Sequence, residues 1–140
     1  MIRKTGAADH QRLIEIWESA VLHTHDFLNA EDFLYYKTRM PVYFEHVTLL
    51  GYEADGVLAG FMGISGPNLE MLFIHNDFRG RGIGKKLLTY GIEYFKVSRV
   101  DVNEQNIQAL GFYRHMGFDV LERTALDGEG KAYPILKMRL

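Results

Sequence analysis

The stretch that decides the fold lies at residues 78–86 and reads Phe78-Arg79-Gly80-Arg81-Gly82-Ile83-Gly84-Lys85-Lys86. An apolar strand pattern ends shortly before it, and the apolar spacing of a helix begins at Ile83. Glycines at such a junction let backbone N–H groups converge on an anion, and the start of a helix adds partial positive charge. The sequence therefore predicts an anion-binding turn between a strand and a helix, which we call the anion turn.

Positive charge is concentrated in this turn. Residues 77–86 contain one acidic side chain, Asp77, and four basic ones, which are Arg79, Arg81, Lys85 and Lys86. The whole chain, with 16 Lys+Arg and 18 Asp+Glu, has a formal net charge of −2, so the remainder is acidic. A basic turn on an acidic chain favours a selective anion site and argues against general binding of nucleic acid or a membrane surface.

Two common nucleotide-binding motifs do not fit this turn. A Rossmann fingerprint fails because Lys85 and Leu87 occupy the two positions where its third glycine could stand. A Walker loop fails because Lys86 stands where a serine or threonine is needed. The spacing that remains is R-x-x-G-x-G, formed by Arg79, Gly82 and Gly84.

The composition is that of an ordinary globular protein. Its 140 residues, 47% of them hydrophobic and 24% charged, predict a single domain over residues 1–140. With no cysteine, the chain cannot form disulfides, thiolate metal sites or a cysteine nucleophile. The N-terminus lacks the apolar run of a secretory signal, and no apolar stretch reaches the ~18–20 residues that cross a bilayer. We therefore expect a cytoplasmic protein that does not bind membranes.

Apolar periodicity predicts secondary structure in the order β-α-α-β-β-β-α-β-α-β-β. The predicted fold class is α/β (α+β), with a single mixed, mostly antiparallel sheet flanked by helices. Asp55-Gly56 marks a hairpin, Pro41 is expected to interrupt or kink the second helix, and Gly117 is expected to cap the fourth. The predicted helices span residues 7–21, 31–45, 83–95 and 106–116, and the strands after the first span 47–53, 57–65, 69–74, 99–102, 120–125 and 133–140.

With its flanks, the anion turn resembles that of the GNAT N-acetyltransferase superfamily. A second block of that family, N-x-x-A-x-x-x-Y-x-x-x-G-F, follows at the usual distance and is matched by Asn106, Ala109, Tyr113, Gly117 and Phe118. The resemblance covers nearly the whole chain and implies the GNAT fold. It also implies transfer of an acetyl group from acetyl-CoA, as co-substrate, to a primary amine of a small molecule or peptide, with no metal.

The resemblance implies that the anion turn binds the pyrophosphate of acetyl-CoA. It further implies that a backbone N–H within residues 72–74 stabilises the oxyanion of the reaction. Asn106 is equally suited to capping the helix that follows it, and the two roles are compatible. The expected coenzyme-binding residues are Leu72, Phe73, Ile74, Arg79, Gly80, Arg81, Gly82, Ile83, Gly84, Lys85, Asn103, Asn106 and Tyr113.

Three residues are candidates for proton transfer. The resemblance implies that Tyr113 protonates the departing thiolate, and the alternative is that its ring simply packs on the helical stripe. A lysine-like amine, with a pKa near 10.4, is mostly protonated at pH 7 and needs a base. Glu70 lies near where the family often places an acid that acts through water, and the alternative is a solvent-facing strand position. His25 is the competing base, because histidine suits proton transfer near neutral pH.

The acceptor is left open by the sequence. Trp17 and residues 23–28, which read His23-Thr24-His25-Asp26-Phe27-Leu28 and which we call the acceptor segment, resemble a feature of a small bacterial subgroup of the superfamily. Polyamines, amino acids, peptide N-termini, protein lysines, aminoglycosides and small metabolites all remain as acceptors. The alternative function is a non-catalytic acyl-CoA-binding sensor, and both a monomer and a homodimer are compatible with the resemblance.

Overall fold

The computed structural model describes every residue from Met1 to Leu140. Its internal contacts divide the chain into two compact units, Met1–Val97 and Ser98–Leu140. None of its helices combines the length and the apolar character that a membrane crossing requires. The single domain expected over residues 1–140 stays a prediction.

The order of the helices and strands is the predicted one, which confirms the α/β class. Two short 3-10 turns, Ala7–Asp9 and Asn76–Phe78, were not predicted. The first unit contains β1 (Ile2–Lys4), α1 (His10–Thr24), α2 (Ala30–Phe44), β2 (Thr48–Ala54), β3 (Val57–Ser65), β4 (Asn68–Ile74) and α3 (Ile83–Phe95). The second unit contains β5 (Arg99–Asn103), α4 (Ile107–His115), β6 (Asp119–Thr124) and β7 (Ile135–Arg139).

Strands β1 to β4 form an antiparallel meander in the first unit, each paired with the next. The β2–β3 hairpin closes over the two residues Asp55 and Gly56, whose φ angles are +54° and +80°. Positive φ at both central positions is the signature of the type I′ turn, whose twist matches that of the strands. The predicted hairpin is confirmed.

A hydrophobic cluster joins α1 and α2 to one face of this meander. Leu13 and Ile16 of α1 and Phe61 of β3 are fully buried, and Trp17 stacks on Phe33 with ring centroids 5.2 Å apart. Burial of such side chains contributes about 1.5–3 kcal/mol each relative to leaving them in water. The cluster therefore fixes α1 and α2 against the strand that pairs with β4.

Helix α1 extends beyond its predicted end at Val21, and α2 continues through the proline expected to interrupt or kink it. Helix α1 continues to Thr24, whose hydroxyl donates to the carbonyl of Ala20 at 2.7 Å. Helix α2 runs through Pro41 to Phe44, so the expected interruption does not occur. Proline removes one intrahelical hydrogen bond, but Met40 and Phe44 on either side are buried, and their packing stabilises the last turn.

The second unit is a three-stranded antiparallel sheet in the order β5-β7-β6, with one helix. Asn106 is the N-cap of helix α4, and its side-chain oxygen accepts from the N–H of Ala109 at 3.2 Å. The helix ends before Gly117, whose φ of +99° is the left-handed conformation expected after a helix. Both helix boundaries agree with the sequence prediction.

Candidate active site

The anion turn is built around two glycines in the left-handed region, with φ of +79° at Gly80 and +76° at Gly82. Gly82 is the N-cap of α3, and no side chain caps the helix there. The first helical hydrogen bond runs from the N–H of Lys86 to the carbonyl of Gly82 at 3.1 Å. The amides of residues 82–85 therefore precede the hydrogen-bond ladder of the helix and are available to an anion.

The entry to the anion turn is fixed to the rest of the first unit. The backbone N–H of Asn76 donates to the hydroxyl oxygen of Ser19 on α1 at 3.0 Å. The ring Nδ1 of His75 accepts from the N–H of Asp77 at 3.1 Å. The first bond joins the chain between β4 and the turn to α1, and the second shapes that chain locally.

Two of the four basic side chains of the turn contact the β2–β3 hairpin. A guanidinium nitrogen of Arg81 lies 2.9 Å from a carboxylate oxygen of Asp55, and the same guanidinium lies over the ring of Phe78. The ammonium of Lys86 donates to the hydroxyl of Tyr52 at 3.2 Å. Arg81, expected at the coenzyme, thus has a protein partner, and the basic cluster is divided between the hairpin and the turn.

Strand β4 carries the three backbone positions expected to contact the acetyl group. Leu72, Phe73 and Ile74 are half-buried and pair antiparallel with β3. The strand approaches Gly60 closely, since a Cβ there would lie 2.5 Å from the Ile74 side chain and 3.1 Å from the carbonyl oxygen of Phe73. A glycine on β3 is therefore needed for the end of β4 to lie where it does.

Glu70 is the extra residue of a β-bulge. Gly63 of β3 opposes Met71 of β4, and the next residue, Ile64, opposes Leu69. Because adjacent residues of a strand face opposite sides, Leu69 and Met71 lie on opposite faces although they are only two residues apart. Glu70 between them is exposed. The sequence predicted a regular strand here and missed the bulge, a device that often re-aims side chains beside active sites.

His25 follows the last residue of α1 and is half-buried, with its ring 5.1 Å from that of Phe27. Its Nδ1 lies 2.7 Å from the Thr24 hydroxyl oxygen. Since that hydroxyl already donates its hydrogen to Ala20, the network assigns the ring proton to Nδ1 and leaves Nε2 as an acceptor. Burial lowers the pKa of His25 to about 4, against the opposing effect of Asp26. The imidazole is therefore neutral at pH 7 and a weak proton acceptor.

In the second unit, Tyr113 lies on α4 and is buried. Its ring packs edge-on against Phe112 and Phe118, with centroids 5.2 Å and 5.8 Å away. Desolvation raises the pKa of the phenol above its ordinary value, so the hydroxyl keeps its proton at neutral pH. The packing alternative and the proton-donor role are both compatible with this environment.

The two expected asparagines also belong to the second unit. Asn103 ends β5, and its side-chain oxygen accepts from the N–H of Gln105 at 3.0 Å. Asn106 caps α4 through its bond to Ala109. The capping role of Asn106 is thus confirmed, while coenzyme contact by either asparagine stays a prediction.

Comparison with known proteins places this geometry in a family. Residues 20–140 match the family model described as an acetyltransferase (GNAT) domain. The chain belongs to the GNAT acetyltransferase family. The peptidyl-lysine N-acetyltransferase YjaB of Escherichia coli K12 is 37% identical to it, over 98% of this chain and 94% of that protein. The family match and this similarity make the chain a GNAT N-acetyltransferase.

Two solved structures show the same fold. The solution structure of apo-form YjaB from Escherichia coli, 34% identical, superposes with a TM-score of 0.91 and covers 99% of this chain and 95% of its own. The structure of yncA from Salmonella typhimurium with its cofactor acetyl-CoA, 22% identical, has a TM-score of 0.69 and covers 100% of this chain and 92% of its own. The predicted GNAT fold is confirmed.

The residues of this GNAT protein fit a diphosphate-bearing coenzyme. A helix start without a side-chain cap offers N–H donors that need an acceptor, and a left-handed glycine cap adds no side chain in front of them. A Cβ built on Gly80 or Gly82 meets no other atom within 4 Å, so open space surrounds the turn at both glycines. Donors, space and neighbouring positive charge are what a phosphate group requires.

Sequence reasoning missed two residues beside the anion turn, Tyr52 and Asp55. They lie 34 and 26 positions from the turn residues that they contact, Lys86 and Arg81. Tyr52 carries no motif, and Asp55 was interpreted only as part of a hairpin turn. The predicted hairpin was the one sequence signal that could have found them. A hairpin whose tip comes close to the anion turn would bring both residues beside the turn.

Proposed function

We propose that this GNAT protein transfers the acetyl group of acetyl-CoA to a primary amine, with the side-chain amine of a peptidyl lysine as the acceptor. The observation that supports coenzyme binding is the start of α3, which has no side-chain cap and is lined by glycines in the left-handed conformation. Support for the acceptor comes from YjaB, a peptidyl-lysine N-acetyltransferase with which this chain is 37% identical over 98% of its length.

In this proposal, the backbone amides of residues 82–85 bind the diphosphate of the coenzyme. Phosphate oxygens complete the hydrogen bonding of the helix start, and the helix dipole stabilises their negative charge by about 0.3–1 kcal/mol or more where the site is partly buried. Arg79 and Lys85, on either side of the two left-handed glycines, add positive charge. Ile83 contributes its backbone only, because its side chain is buried in the core.

Acetyl-CoA supplies an acetyl group activated as a thioester. The acceptor ammonium first gives one proton through the base to solvent, and the neutral nitrogen then forms a bond to the carbonyl carbon. The carbon–sulfur bond breaks, a second proton leaves the nitrogen, and the sulfur takes up a proton to become a thiol. Backbone N–H groups of residues 72–74 on β4 stabilise the negative charge that develops on the carbonyl oxygen. The products are an acetylated amine and coenzyme A, so atoms and charge balance without a metal or a redox group.

Tyr113 is the proton donor in this proposal. Its phenol carries a proton at neutral pH that can be given to the sulfur as negative charge develops there, although burial raises the pKa and makes the phenol a weaker acid. A coenzyme thiol resembles that of cysteine, with a pKa near 8.5, so the thiolate is a tolerable leaving group on its own. Tyr113 therefore accelerates the reaction without being indispensable to it.

Glu70 is the proposed base, acting through water. It is exposed, on a bulge of the strand that carries residues 72–74, where a carboxylate can accept a proton relayed by solvent. His25 is the weaker candidate, because a pKa of about 4 makes its imidazole a poor acceptor for a proton from an ammonium group. His25 is better suited to accept a hydrogen bond from the acceptor amine through Nε2.

The test is acetyl-CoA thiol release measured with a panel of peptides. One peptide carries a free lysine side chain and a blocked N-terminus, a second carries a free N-terminus and no lysine, and free lysine is a third acceptor. The proposal predicts thiol release and an acetylated side chain, located by mass spectrometry, with the first peptide. Coenzyme binding without thiol release on a broad amine panel would instead support an acyl-CoA sensor, and acetylation of only the second or third acceptor would overturn the lysine assignment.

A further inference from the structure

The tip of the β2–β3 hairpin is tied to the anion turn by a contact that no motif marks. Asp55 accepts a hydrogen bond from the guanidinium of Arg81 at 2.9 Å. The Arg81 guanidinium carbon also lies 4.9 Å from the centre of the Phe78 ring, within the distance of a cation–π contact. Arg81 is thus held from two sides, by a carboxylate on the hairpin and by an aromatic ring at the start of the turn.

The hairpin holds the backbone of Asp55 in one conformation. Its φ of +54° and that of Gly56 at +80° belong to the tight turn that joins two paired strands. The position of the Asp55 backbone is therefore set by the hairpin and does not depend on Arg81. Aspartate and asparagine both tolerate this left-handed conformation, whereas most other side chains are strained in it.

Arg81 stands between the two residues that make the turn flexible. Gly80 and Gly82 flank it, and neither has a neighbouring atom within 4 Å of where a Cβ would be. Fixing a flexible backbone costs roughly 1–2 kcal/mol per residue, and that cost weakens binding when the ligand itself must impose the order. A side chain anchored between the two glycines reduces the number of conformations that the free turn can adopt.

We infer that Asp55 is a positioning residue for the coenzyme: through Arg81 it orders the anion turn before the diphosphate binds. This inference rests on the proposed function, in that it assigns the turn to acetyl-CoA. It also assigns Arg81 to the turn's conformation instead of direct contact with phosphate. Simple charge repulsion makes the opposite prediction, because a carboxylate near an anion site should weaken binding and its removal should strengthen it.

The sign of the effect of Asp55→Asn therefore decides between the two accounts. Asparagine preserves the shape and the left-handed backbone and removes only the charge. We expect the Kd for coenzyme A, measured by calorimetry at low salt, to rise about threefold, within the range for an exposed ion pair. The KM for acetyl-CoA should rise equally, while kcat stays unchanged. Glu93→Gln, which removes one exposed negative charge on α3, is the matched control and should not weaken binding.

A double-mutant cycle tests whether Asp55 acts through Arg81. In an Arg81→Gln background, Asp55→Asn should no longer weaken binding, because the partner of the carboxylate is gone. The inference is overturned if Asp55→Asn binds coenzyme as tightly as the natural protein or more tightly. It is equally overturned if Asp55→Asn weakens binding to the same extent with and without Arg81.

A second readout needs no coenzyme and separates this inference from the proposed function. Backbone ¹⁵N relaxation in the free protein should show lower order parameters at Gly80 and Gly82 in Asp55→Asn than in the natural protein, and no change in Glu93→Gln. Unchanged order parameters would contradict the role of Asp55 even if coenzyme binds. Failure of the natural protein to bind coenzyme A would contradict the proposed function, while the relaxation data would still decide whether Asp55 orders the turn.

Discussion

The anion turn and the acceptor segment lie at opposite ends of helices in the same unit. The anion turn precedes α3 and presents the positive end of a helix dipole, which suits a diphosphate. The acceptor segment begins in the last turn of α1, at the negative end, where an ammonium group is favoured. Both ends have the polarity that their proposed ligand requires, but only the pattern of the first indicates what it binds.

The two regions differ in whether backbone groups or side chains provide the binding groups. In the anion turn, backbone amides and left-handed glycines provide the binding groups, so the residue types are dictated by the backbone conformation. In the acceptor segment, the behaviour of His25 depends on how deeply its ring is buried and on the hydroxyl of Thr24 beside it. A site made of backbone groups requires particular residue types and is therefore visible in the sequence. The burial and the neighbours of a side chain are set only by the folded protein.

The largest expected effect is on the backbone site. Gly82→Val should raise the Kd for coenzyme A about thirtyfold, because a β-branched residue at a φ of +76° costs roughly 1–2 kcal/mol and places a side chain before the amides. Gly128→Val is the control, since Gly128 lies in an open loop without a positive φ. Calorimetry measures the Kd for coenzyme A of both variants. Equal Kd values would contradict the role of the left-handed Gly82 in coenzyme binding.

The second-largest expected effect is on the rate of the chemical step, with coenzyme binding unchanged. Tyr113→Phe should lower kcat at least about tenfold, because the variant keeps the buried ring and loses only the proton donor. The KM for acetyl-CoA should stay nearly unchanged. Tyr94→Phe, on an exposed ring of α3, is the matched variant and should have no effect on either constant. Steady-state thiol release checks both, and equal turnover in Tyr113→Phe would leave that residue a packing role only.

A smaller effect distinguishes the two candidate bases. Glu70→Gln should lower kcat/KM about fivefold at neutral pH and remove the acidic limb of the pH–rate profile, since a glutamine accepts no proton. His25→Ala should keep that limb. A profile that loses its acidic limb in His25→Ala, and retains it in Glu70→Gln, would reverse the assignment made from the burial of His25.

The smallest effect tests the environment of His25 through stability. Its pKa is about 4 when folded and near 6.5 when unfolded, so the unfolded chain binds the proton more readily between these values. The free energy of unfolding should therefore fall as the pH drops from about 6.5 towards 4, by about 0.5–1 kcal/mol once partial exposure is allowed for. Denaturant titrations should show this loss in the natural protein and in His23→Gln, and a weaker one in His25→Gln. Equal slopes in all three would contradict the burial of the imidazole.

Local signals account for what the sequence could predict. The hairpin at Asp55-Gly56, the cap at Asn106 and the left-handed Gly117 each need only a few neighbouring residues, and all three are confirmed. The helix after the anion turn begins at Ile83 as its apolar spacing indicates. These features follow from the conformational preferences of single residues and from periodicity, which is why they are visible before the fold is known.

The features that the sequence did not reveal depend on distant contacts. The bulge at Glu70 exists only in relation to its partner strand β3, and the pairing of Asp55 with Arg81 joins residues 26 positions apart. The continuation of α2 through Pro41 depends on packing around Met40 and Phe44, which offsets the lost hydrogen bond. At Pro41 tertiary packing outweighs the local preference of the residue, and the pairing of Asp55 with Arg81 has no local signal at all.

The most direct measurement is a titration of coenzyme A into the ¹⁵N-labelled protein, monitored by calorimetry and by the chemical shifts of the amides of residues 82–85. We predict saturable binding with the largest chemical-shift changes at those four amides, which mark the N–H groups that receive the diphosphate. No heat and no shift at millimolar coenzyme A, or binding whose shifts leave residues 82–85 unaffected, would contradict the assignment of the anion turn.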